Sequence, residues 1–315
     1  MISFVGQRLA VCVAAIVGAS FVIFGSLYLA PGSPISFLTG GRPTTPQLRA
    51  ALERQYHLND PLFERYLKWA AGVFHGDFGE SIINHQQVSH LILSRLETTV
   101  LLVLLTLALL VVTGVGLGGV AALRPGRVDD GILALMSVSV ATPVFVAATF
   151  LIALFSVRLG WFPVFGAGSG LTDRINHLIL PAVALAVSWW PVIGETSRSS
   201  MREELTREHV ETARSRGLAP AWVFRRHVLR NSLIPISTAT GLSFAGLIAG
   251  TAVVETVFQL NGVGGLLISS VISRDFPVAQ AVALLFVAVF AFTNLIVDVL
   301  YATLDPRVRM SRSPK

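Results

Sequence analysis

Six long apolar stretches, separated by more polar segments, dominate the pattern of this chain. They lie at about residues 9–30, 98–123, 131–157, 177–196, 232–255 and 279–303. Each has the length of about 20 residues that a helix needs to cross a hydrocarbon core of about 30 Å. The first is expected to be a retained span and not a signal peptide, because Ala30-Pro31-Gly32 is a poor cleavage site. The pattern predicts an all-α integral membrane protein with six transmembrane helices.

Composition supports this class and excludes several others. Of the 315 residues, 53% are hydrophobic and 13% are charged, and the mean hydropathy is +0.69. Soluble chains carry about 25% charged residues, and disordered or collagen-like chains are also excluded. The single cysteine, Cys12, rules out an intrachain disulfide. The net charge of +6 comes from basic residues between the apolar stretches. That placement orients a protein in membrane lipid and does not build a nucleic-acid groove, so no nucleic-acid partner is expected.

The distribution of Lys and Arg predicts the orientation. If the N-terminus is cytoplasmic, the cytoplasmic segments hold fifteen basic residues and the two short outer loops hold three. The positive-inside rule then places both termini in the cytoplasm. The predicted domains are 1–30 (N-terminus and first span), 31–96 (external segment), 97–303 (membrane domain) and 304–315 (cytoplasmic tail). The external segment is expected to be partly helical over Pro46 to Ala71. The membrane domain includes a cytoplasmic loop at 197–231.

Ionisable residues are scarce within the spans. Glu97, Glu195, Glu255 and Asp298 all lie near span ends, and no span carries a charge or a histidine at its centre. A secondary carrier usually binds its coupling ion at the midplane, so a self-sufficient carrier is the weaker alternative. No His-Glu pair, Gly-rich phosphate loop or nucleophile-base set indicates a metal site, nucleotide site or intramembrane enzyme.

Two connecting segments carry more specific patterns. In the cytoplasmic loop a helix is expected over residues 202–216. Gly217 then acts as its left-handed C-terminal cap, and Pro220 opens a second helix over 220–231 that leads into the fifth span. Such a short helix needs a partner surface, which is either another protein or anionic lipid. The segment 256–278 is apolar but broken by glycines, so it is either a partly inserted hairpin at a cavity mouth or a plain surface loop.

The loop resembles the EAA loop of permease subunits in ATP-binding-cassette importers. The resemblance rests on Glu211-Thr212-Ala213, Gly217 and Ile234-Pro235. Further stretches resemble the dipeptide/oligopeptide/nickel branch, in its first-permease type. They are Arg198-Ser199-Ser200-Met201, Arg226 to Pro235, Leu58-Asn59-Asp60-Pro61, Gly76-Asp77-Phe78-Gly79, Gly160-Trp161-Phe162-Pro163, His177 to Pro181, Arg274-Asp275-Phe276-Pro277 and Asp305-Pro306-Arg307. Two positions depart from that pattern: Ser33 stands where the family usually has Asp, and Asn261 stands where it has Pro.

The resemblance implies a type I importer permease in the bacterial cytoplasmic membrane. Its partners would be a second homologous permease, two ATP-binding subunits and an extracytoplasmic substrate-binding protein. This chain would bind no cofactor and catalyse nothing, since ATP and Mg would be held by the partner subunits. A di- or oligopeptide substrate is expected, with nickel, glutathione and haem as alternatives.

The same resemblance implies which residues of the loop contact an ATP-binding subunit. The ATPase-docking residues would be Glu211, Thr212, Ala213, Arg214, Gly217, Leu218 and Arg226. The glycine-broken segment and the ionisable residues at span ends add candidates for a cavity or gate, namely Glu255, Asn261, Gly262, Gly264 and Asp298.

Overall fold

The computed structural model describes residues 2–29, 45–47, 50 and 60–304. The expectations for Ser33, for Leu58-Asn59 and for the tail from Asp305 onward lie outside these ranges. Within them the chain is helical, and extended pairing is limited to one isolated antiparallel bridge between Glu80 and Gln87. The predicted all-α class is therefore confirmed.

The helices follow one another with short connections. They are α1 (Ile2–Leu29), α2 (Leu62–Phe74), α3 (Val88–Leu123), α4 (Arg127–Ala141), α5 (Val144–Leu151), α6 (Leu171–Leu205), α7 (Glu208–Ser215), α8 (Pro220–Val223), α9 (Arg230–Val257), α10 (Val263–Ile272) and α11 (Phe276–Leu304). A π-helical segment, Ile152–Arg158, continues α5, and a second, Phe224–Leu229, joins α8 to α9. Among the described residues, five continuous helices are long and apolar enough to cross a membrane, and α4 with α5 provides a sixth pass.

Side-chain contacts define the direction of each pass. Arg8 pairs with Asp298 at 2.8 Å, and Gln280 Nε2 donates to the Phe24 carbonyl oxygen at 3.5 Å, so α1 and α11 are antiparallel. Trp190 Nε1 donates to Ser139 Oγ at 3.1 Å. This bond, together with the pairing of Asp129 and Arg198, makes α4 and α6 antiparallel.

We refer to the side of the bundle with residues 206–229 as the loop end, and to the side with α2 and α10 as the far end. Helices α3 and α6 both run from the far end to the loop end. At the far end Glu97 of α3 pairs with Arg174 of α6. Closer to the loop end, Gly114 of α3 lies against Ile193 of α6.

The third pass differs from the single span predicted for 131–157. Helices α4 and α5 meet at a bend of 102°. Pro143 has no N–H to donate and forces the preceding residue out of the helical region, and Thr142 is accordingly extended at φ −89° and ψ 114°. The prediction of one uninterrupted helix is therefore wrong at Thr142-Pro143.

Several helices also extend beyond the apolar stretches that predicted them. Helix α3 starts at Val88, so residues 88–96 of the predicted external segment belong to the span helix. Helix α6 covers Leu171–Leu205 although only 177–196 is strongly apolar. A helix satisfies the backbone groups of its interior, so it can continue past the apolar stretch into the polar boundary region.

Helix α6 lies at the centre of the bundle, where α3, α4, α5 and α9 all contact it. Small residues allow α3 to approach α6 closely. A Cβ atom at Gly118 of α3 would overlap the Gly194 carbonyl oxygen and lie 2.8 Å from Ser197 Cβ. Small residues at helix crossings let the backbones approach, which is the main source of packing energy between helices in lipid. The α3–α6 contact thus depends on glycine at position 118.

We predict that Gly118→Ala destabilises the bundle, whereas Gly116→Ala does not. Gly116 lies on the same helix, half a turn away, is exposed, and has open space where a Cβ would be placed. Overpacking costs about 1–3 kcal/mol, so the apparent Tm of the purified protein is expected to fall by about 3 °C or more for Gly118→Ala. Thermal unfolding in detergent measures this. Equal Tm values for the two variants would contradict the close approach.

Candidate functional site at the loop end

The predicted helix over 202–216 is broken in the structure. Helix α6 ends at Leu205, and α7 starts at Glu208. Between them Thr206 and Arg207 form a turn, with their backbone N–H groups donating to the Glu203 and Glu204 carbonyl oxygens at 3.2 Å each. Arg207 is extended, at φ −74° and ψ 143°, which changes the direction of the chain. The prediction of one helix is therefore wrong, and α7 is a separate helix beneath the bundle.

The predicted left-handed cap at Gly217 is confirmed. Its φ is +74°, its N–H donates to the Arg214 carbonyl oxygen at 2.9 Å, and the Leu218 N–H donates to the Ala213 carbonyl oxygen at 3.4 Å. This pair of bonds defines a Schellman motif, in which glycine is preferred because it has no Cβ. Pro220 follows at the start of α8, as predicted.

Helix α7 turns its two apolar side chains toward the protein and its polar ones outward. Val210 and Ala213 are buried. Ala213 therefore packs within this chain and is not exposed for docking. The other predicted docking residues, Glu211, Thr212, Arg214, Gly217, Leu218 and Arg226, are all exposed. Neither Arg214 nor Arg226 makes an ion pair within the described part of the chain. This exposed face can thus offer its charges to a partner.

A cleft of about 520 Å³ separates α7 from α8 and the start of the helix that follows. Its walls include Glu208, Arg216 and the indole of Trp222, which is 49% exposed. His227 contacts the Trp222 ring edge to face, with a centroid distance of 5.4 Å. Exposed aromatic and arginine side chains beside a cleft are typical of protein interfaces.

The loop is joined to a membrane helix on each side by a short connection. Helix α8, the π-helical segment and α9 form one continuous helix from Pro220 to Val257, which confirms the predicted helix leading into the fifth span. On the other side only the Thr206-Arg207 turn separates α7 from α6. Helix α7 is thus joined through short connections to two membrane helices.

An ion cluster that no sequence pattern predicted holds the end of α6. Arg198 donates from Nε and Nη2 to the two carboxylate oxygens of buried Asp129, at 2.5 and 2.9 Å. Arg202 Nη2 donates to the same carboxylate at 2.8 Å. Such forked, charge-assisted pairs are strong and directional. They join the start of α4 to the part of α6 next to the loop.

At the far end the structure brings together three of the predicted cavity residues, Glu255, Gly262 and Gly264. Glu255 is fully buried, at 0% exposure. Its carboxylate accepts hydrogen bonds from Thr99 Oγ1 at 2.7 Å and from the Gly265 N–H at 2.8 Å. Thr99 Oγ1 in turn accepts a bond from the Val263 N–H at 2.8 Å. Glu255 and Thr99 thus satisfy the free N–H groups at the start of α10, where a negative charge is favourable.

At Gly262 and Gly264 the packing leaves no room for a side chain. A Cβ at Gly262 would overlap the Glu255 carboxylate, and one at Gly264 would lie 2.7 Å from the Ala252 backbone. Segment 256–278 is therefore not a plain surface loop, because it folds into α10 and packs on α3, α9 and α11.

The other two predicted cavity residues lie elsewhere. Asn261 is exposed and lines an adjoining cleft of about 350 Å³. Asp298 lies apart, at the loop end, in its pair with Arg8.

An all-helical bundle with several membrane passes and a short polar helix fixed beneath it is typical of the membrane subunit of a transporter. Residues 114–310 match the family "Binding-protein-dependent transport system inner membrane component", and residues 1–103 match the N-terminal family of the same systems. The chain belongs to this family of inner-membrane permeases of ABC importers, which work together with an ATPase and a substrate-binding protein. It is accordingly a multi-pass inner-membrane protein.

Several relatives match the chain over nearly its whole length. A probable peptide ABC transporter permease of Sinorhizobium fredii is 37% identical, covering 96% of this chain and 98% of its own. A di/tripeptide permease of Pseudomonas aeruginosa is 34% identical, covering 99% and 100%. A glutathione permease of Shigella flexneri is 35% identical, covering 98% and 99%.

A solved structure of an inward-facing methionine ABC transporter, MetNI, shares the fold. Its TM-score is 0.58 at 18% identity, over 68% of this chain and 96% of that one. An amino acid ABC transporter gives a TM-score of 0.53 at 18% identity, over 68% of this chain and 94% of that one. The predicted type I permease fold is confirmed.

We predict that Thr99→Val loosens the start of α10. The substitution removes the donor to Glu255 and the acceptor of the Val263 N–H, and it leaves buried polar groups unsatisfied at a cost of about 1–3 kcal/mol. Hydrogen exchange of the amides of residues 263–265 is expected to become about tenfold faster or more.

The matched control for Thr99→Val is Thr98→Val, one residue earlier on the same helix. Thr98 is also buried but makes no hydrogen bond to α10 in the described structure. Exchange at residues 263–265 should stay at the wild-type rate in this control. Unchanged exchange in Thr99→Val would show that the hydroxyl does not hold α10.

Proposed function

We propose that this chain is one of two permeases in an importer of di- or oligopeptides, driven by ATP hydrolysis in partner subunits. The substrate class is supported by the peptide permeases of Sinorhizobium fredii and Pseudomonas aeruginosa, which match this chain over nearly their full lengths. The glutathione permease relative is 35% identical. Glutathione is itself a tripeptide, so it is the second candidate substrate.

The observation that carries the docking part of the proposal is the geometry of α7. The helix is too short to be stable alone and is held in place by Val210, Ala213 and the Gly217 cap. Its outer face offers Glu211, Arg214 and neighbouring polar groups, and Leu218 and Trp222 are exposed beside it. In this proposal α7 occupies a cleft on an ATP-binding subunit, with carboxylates of that subunit facing the arginines.

The proposed assembly has two permeases, two ATP-binding subunits that hold ATP and Mg, and an extracytoplasmic substrate-binding protein. The loop end faces the cytoplasm, as do both termini, because the arginine-rich loop and Arg8 lie on that side. The far end, with α2 and α10, then faces the binding protein. The chain itself supplies the pathway and the mechanical connection, without chemistry of its own.

The proposed mechanism follows from how the helices are joined. ATP binding closes the ATPase pair and moves α7, and the motion passes to α6 through the Thr206-Arg207 turn and to α9 through the continuous helix from Pro220. The Asp129 cluster carries α4 along with α6. At the far end Glu255 moves α10 with α9, so the cavity opens outward. Hydrolysis reverses these movements.

We predict that Gly217→Val impairs the coupling between this chain and the ATP-binding subunits more than it impairs expression. At φ +74° a β-branched residue is strained, and the space around a Cβ at this position is open, so the substitution acts through the backbone alone. Strain of about 1–3 kcal/mol should displace α7 and reduce substrate-stimulated ATP hydrolysis about tenfold. The assay is ATPase activity of the reconstituted assembly with its binding protein.

The control is Gly217→Asn, because asparagine tolerates positive φ far better than valine. It should keep most of the stimulated activity, and both variants should reach the membrane in similar amounts. If Gly217→Val hydrolyses ATP and transports like the wild type, the docking role of α7 is wrong.

We predict that deletion of the gene abolishes uptake of labelled dipeptides or oligopeptides, and that the wild-type chain restores it. Uptake should be inhibited by excess unlabelled peptide and not by nickel, haem or an ionophore that collapses the proton gradient while ATP is maintained. Preferential uptake of glutathione would select the second candidate. Uptake that follows the ion gradient would instead establish a secondary carrier.

A further inference from the structure

The cleft of about 350 Å³ at the far end lies between the start of α3, the end of α9 and α10. We call it the Arg95 cleft. Ligand pockets in proteins begin at about 300 Å³, so a small solute can enter it. Its walls include the apolar side chains of Leu266, Ile268 and Ile272 and the polar ones of Arg95, Gln259 and Asn261. The cleft therefore offers hydrogen-bond donors beside an apolar surface.

Arg95 contributes the one positive charge among the residues that line this cleft. Its side chain is half-buried, and Nη1 donates to the Leu91 carbonyl oxygen at 3.0 Å. A guanidinium group has five N–H groups, and this bond uses only one of them. In the part of the chain that the structure describes, no carboxylate pairs with Arg95. Its charge and its other N–H groups are therefore available to a ligand.

Membrane orientation does not account for an arginine at this place. In the proposed orientation the far end is extracytoplasmic, whereas the positive-inside rule favours basic residues at the cytoplasmic end of a span. Arg174, at the same end, is paired with Glu97. An ionisable side chain of a membrane helix that lacks such a partner is a candidate for function.

Gln259 and Asn261 add neutral donors to the wall. Both side chains are exposed, and neither amide makes a hydrogen bond within the described ranges. The backbone of Gln259 has φ +49°, which is uncommon and strained for a residue other than glycine. The next N–H, of Leu260, donates to the Glu255 carbonyl oxygen at 2.8 Å and holds this turn in place. The strained turn thus brings two side-chain amides to the wall of the cleft.

Glu255 also lines the cleft, but its carboxylate is already occupied. It is fully buried, and its two oxygens accept bonds from Thr99 and from the Gly265 N–H. The free N–H groups at the start of α10 offset its charge. Glu255 makes no ion pair with Arg95 in the described structure. The unpaired charge of the cleft is therefore positive, and it suits an anion.

We propose that the Arg95 cleft binds a carboxylate of the transported peptide at the extracytoplasmic mouth of the pathway. This inference rests on the proposed function, since every peptide with a free C-terminus carries this group. Arg95 forms a forked, charge-assisted pair with the carboxylate, and Gln259 and Asn261 donate from their amides. The apolar wall contacts the neighbouring side chain of the peptide. The cleft thus recognises an end group that all such peptides share.

The test restores or reverses the charge at position 95 chemically. Cys12 is the only cysteine of the chain, so Cys12→Ala gives a parent without thiols, and Arg95→Cys is added to it. The full assembly is reconstituted with its binding protein in proteoliposomes, and uptake of labelled tri-alanine is measured. Treatment with 2-aminoethyl or 2-sulfonatoethyl methanethiosulfonate attaches a positive or a negative group to the thiol. The parent receives the same treatment, which controls for cysteines of the partner subunits.

We expect uptake by Arg95→Cys to fall about tenfold below that of the parent, because a charge-assisted pair is lost. The positive adduct should restore uptake to within about threefold of the parent, whereas the negative adduct should lower it further. Excess unlabelled tri-alanine should slow the modification, because the peptide occupies the cleft. The matched control is Arg158→Cys in the same parent, since Arg158 is exposed and does not line the cleft. Its uptake should not depend on the charge of the adduct.

Three results would overturn the inference. They are equal uptake by the parent and by both adducts of Arg95→Cys, failure of the positive adduct to restore uptake, and a cysteine at position 95 that neither reagent modifies. The second would give Arg95 a structural role, and the third would show that a partner subunit covers the cleft. If the wild-type assembly imports neither tri-alanine nor glutathione, the proposed function itself fails, and this inference fails with it.

Discussion

The close contact of α3 with α6 is the constraint on which the rest of the structure depends. In a bilayer there is little hydrophobic gain from bringing helices together, so the packing must come from backbones that approach closely. Gly114 and Gly118 provide this on α3, where a Cβ would collide with Ile193, Gly194 or Ser197 of α6. Once α6 is fixed in this way, α4, α5 and α9 pack on its remaining faces. The polar loop at its end then acquires a defined position.

Sequence patterns predicted the features that depend on local backbone restrictions. The apolar stretches predicted the spans because a chain in lipid must satisfy its own backbone groups. Gly217 and Pro220 predicted the end of one helix and the start of the next because glycine permits the positive φ of a helix cap, whereas proline fixes φ at a helical value. The bend at Thr142-Pro143 follows from the same kind of signal, and it could have been predicted from the effect of proline on the residue before it.

The missed features depend on residues that are distant in sequence or carry no local signal. The break at Arg207 has no glycine, proline or side-chain cap to mark it. Thr99 and Glu255 are separated by 156 residues, and Asp129 and Arg198 by 69. Glu255 was singled out as a charge near a span end. Its role as the cap of α10 requires knowing that α3, α9 and α10 meet.

The continuous helix formed by α8, the π-helical segment and α9 relates the two ends of the molecule through simple geometry. It has 38 residues, from Pro220 to Val257, and is about 57 Å long at a rise of about 1.5 Å per residue. A tilt of about 5° about one end then displaces the other by about 5 Å, one helical turn. The bonds from Glu255 to Thr99 and Gly265 are buried, so breaking them would leave a carboxylate unsatisfied at high cost. A small rotation of α9 is therefore expected to move α10 as a unit with it, and no unfolding at the far end is required.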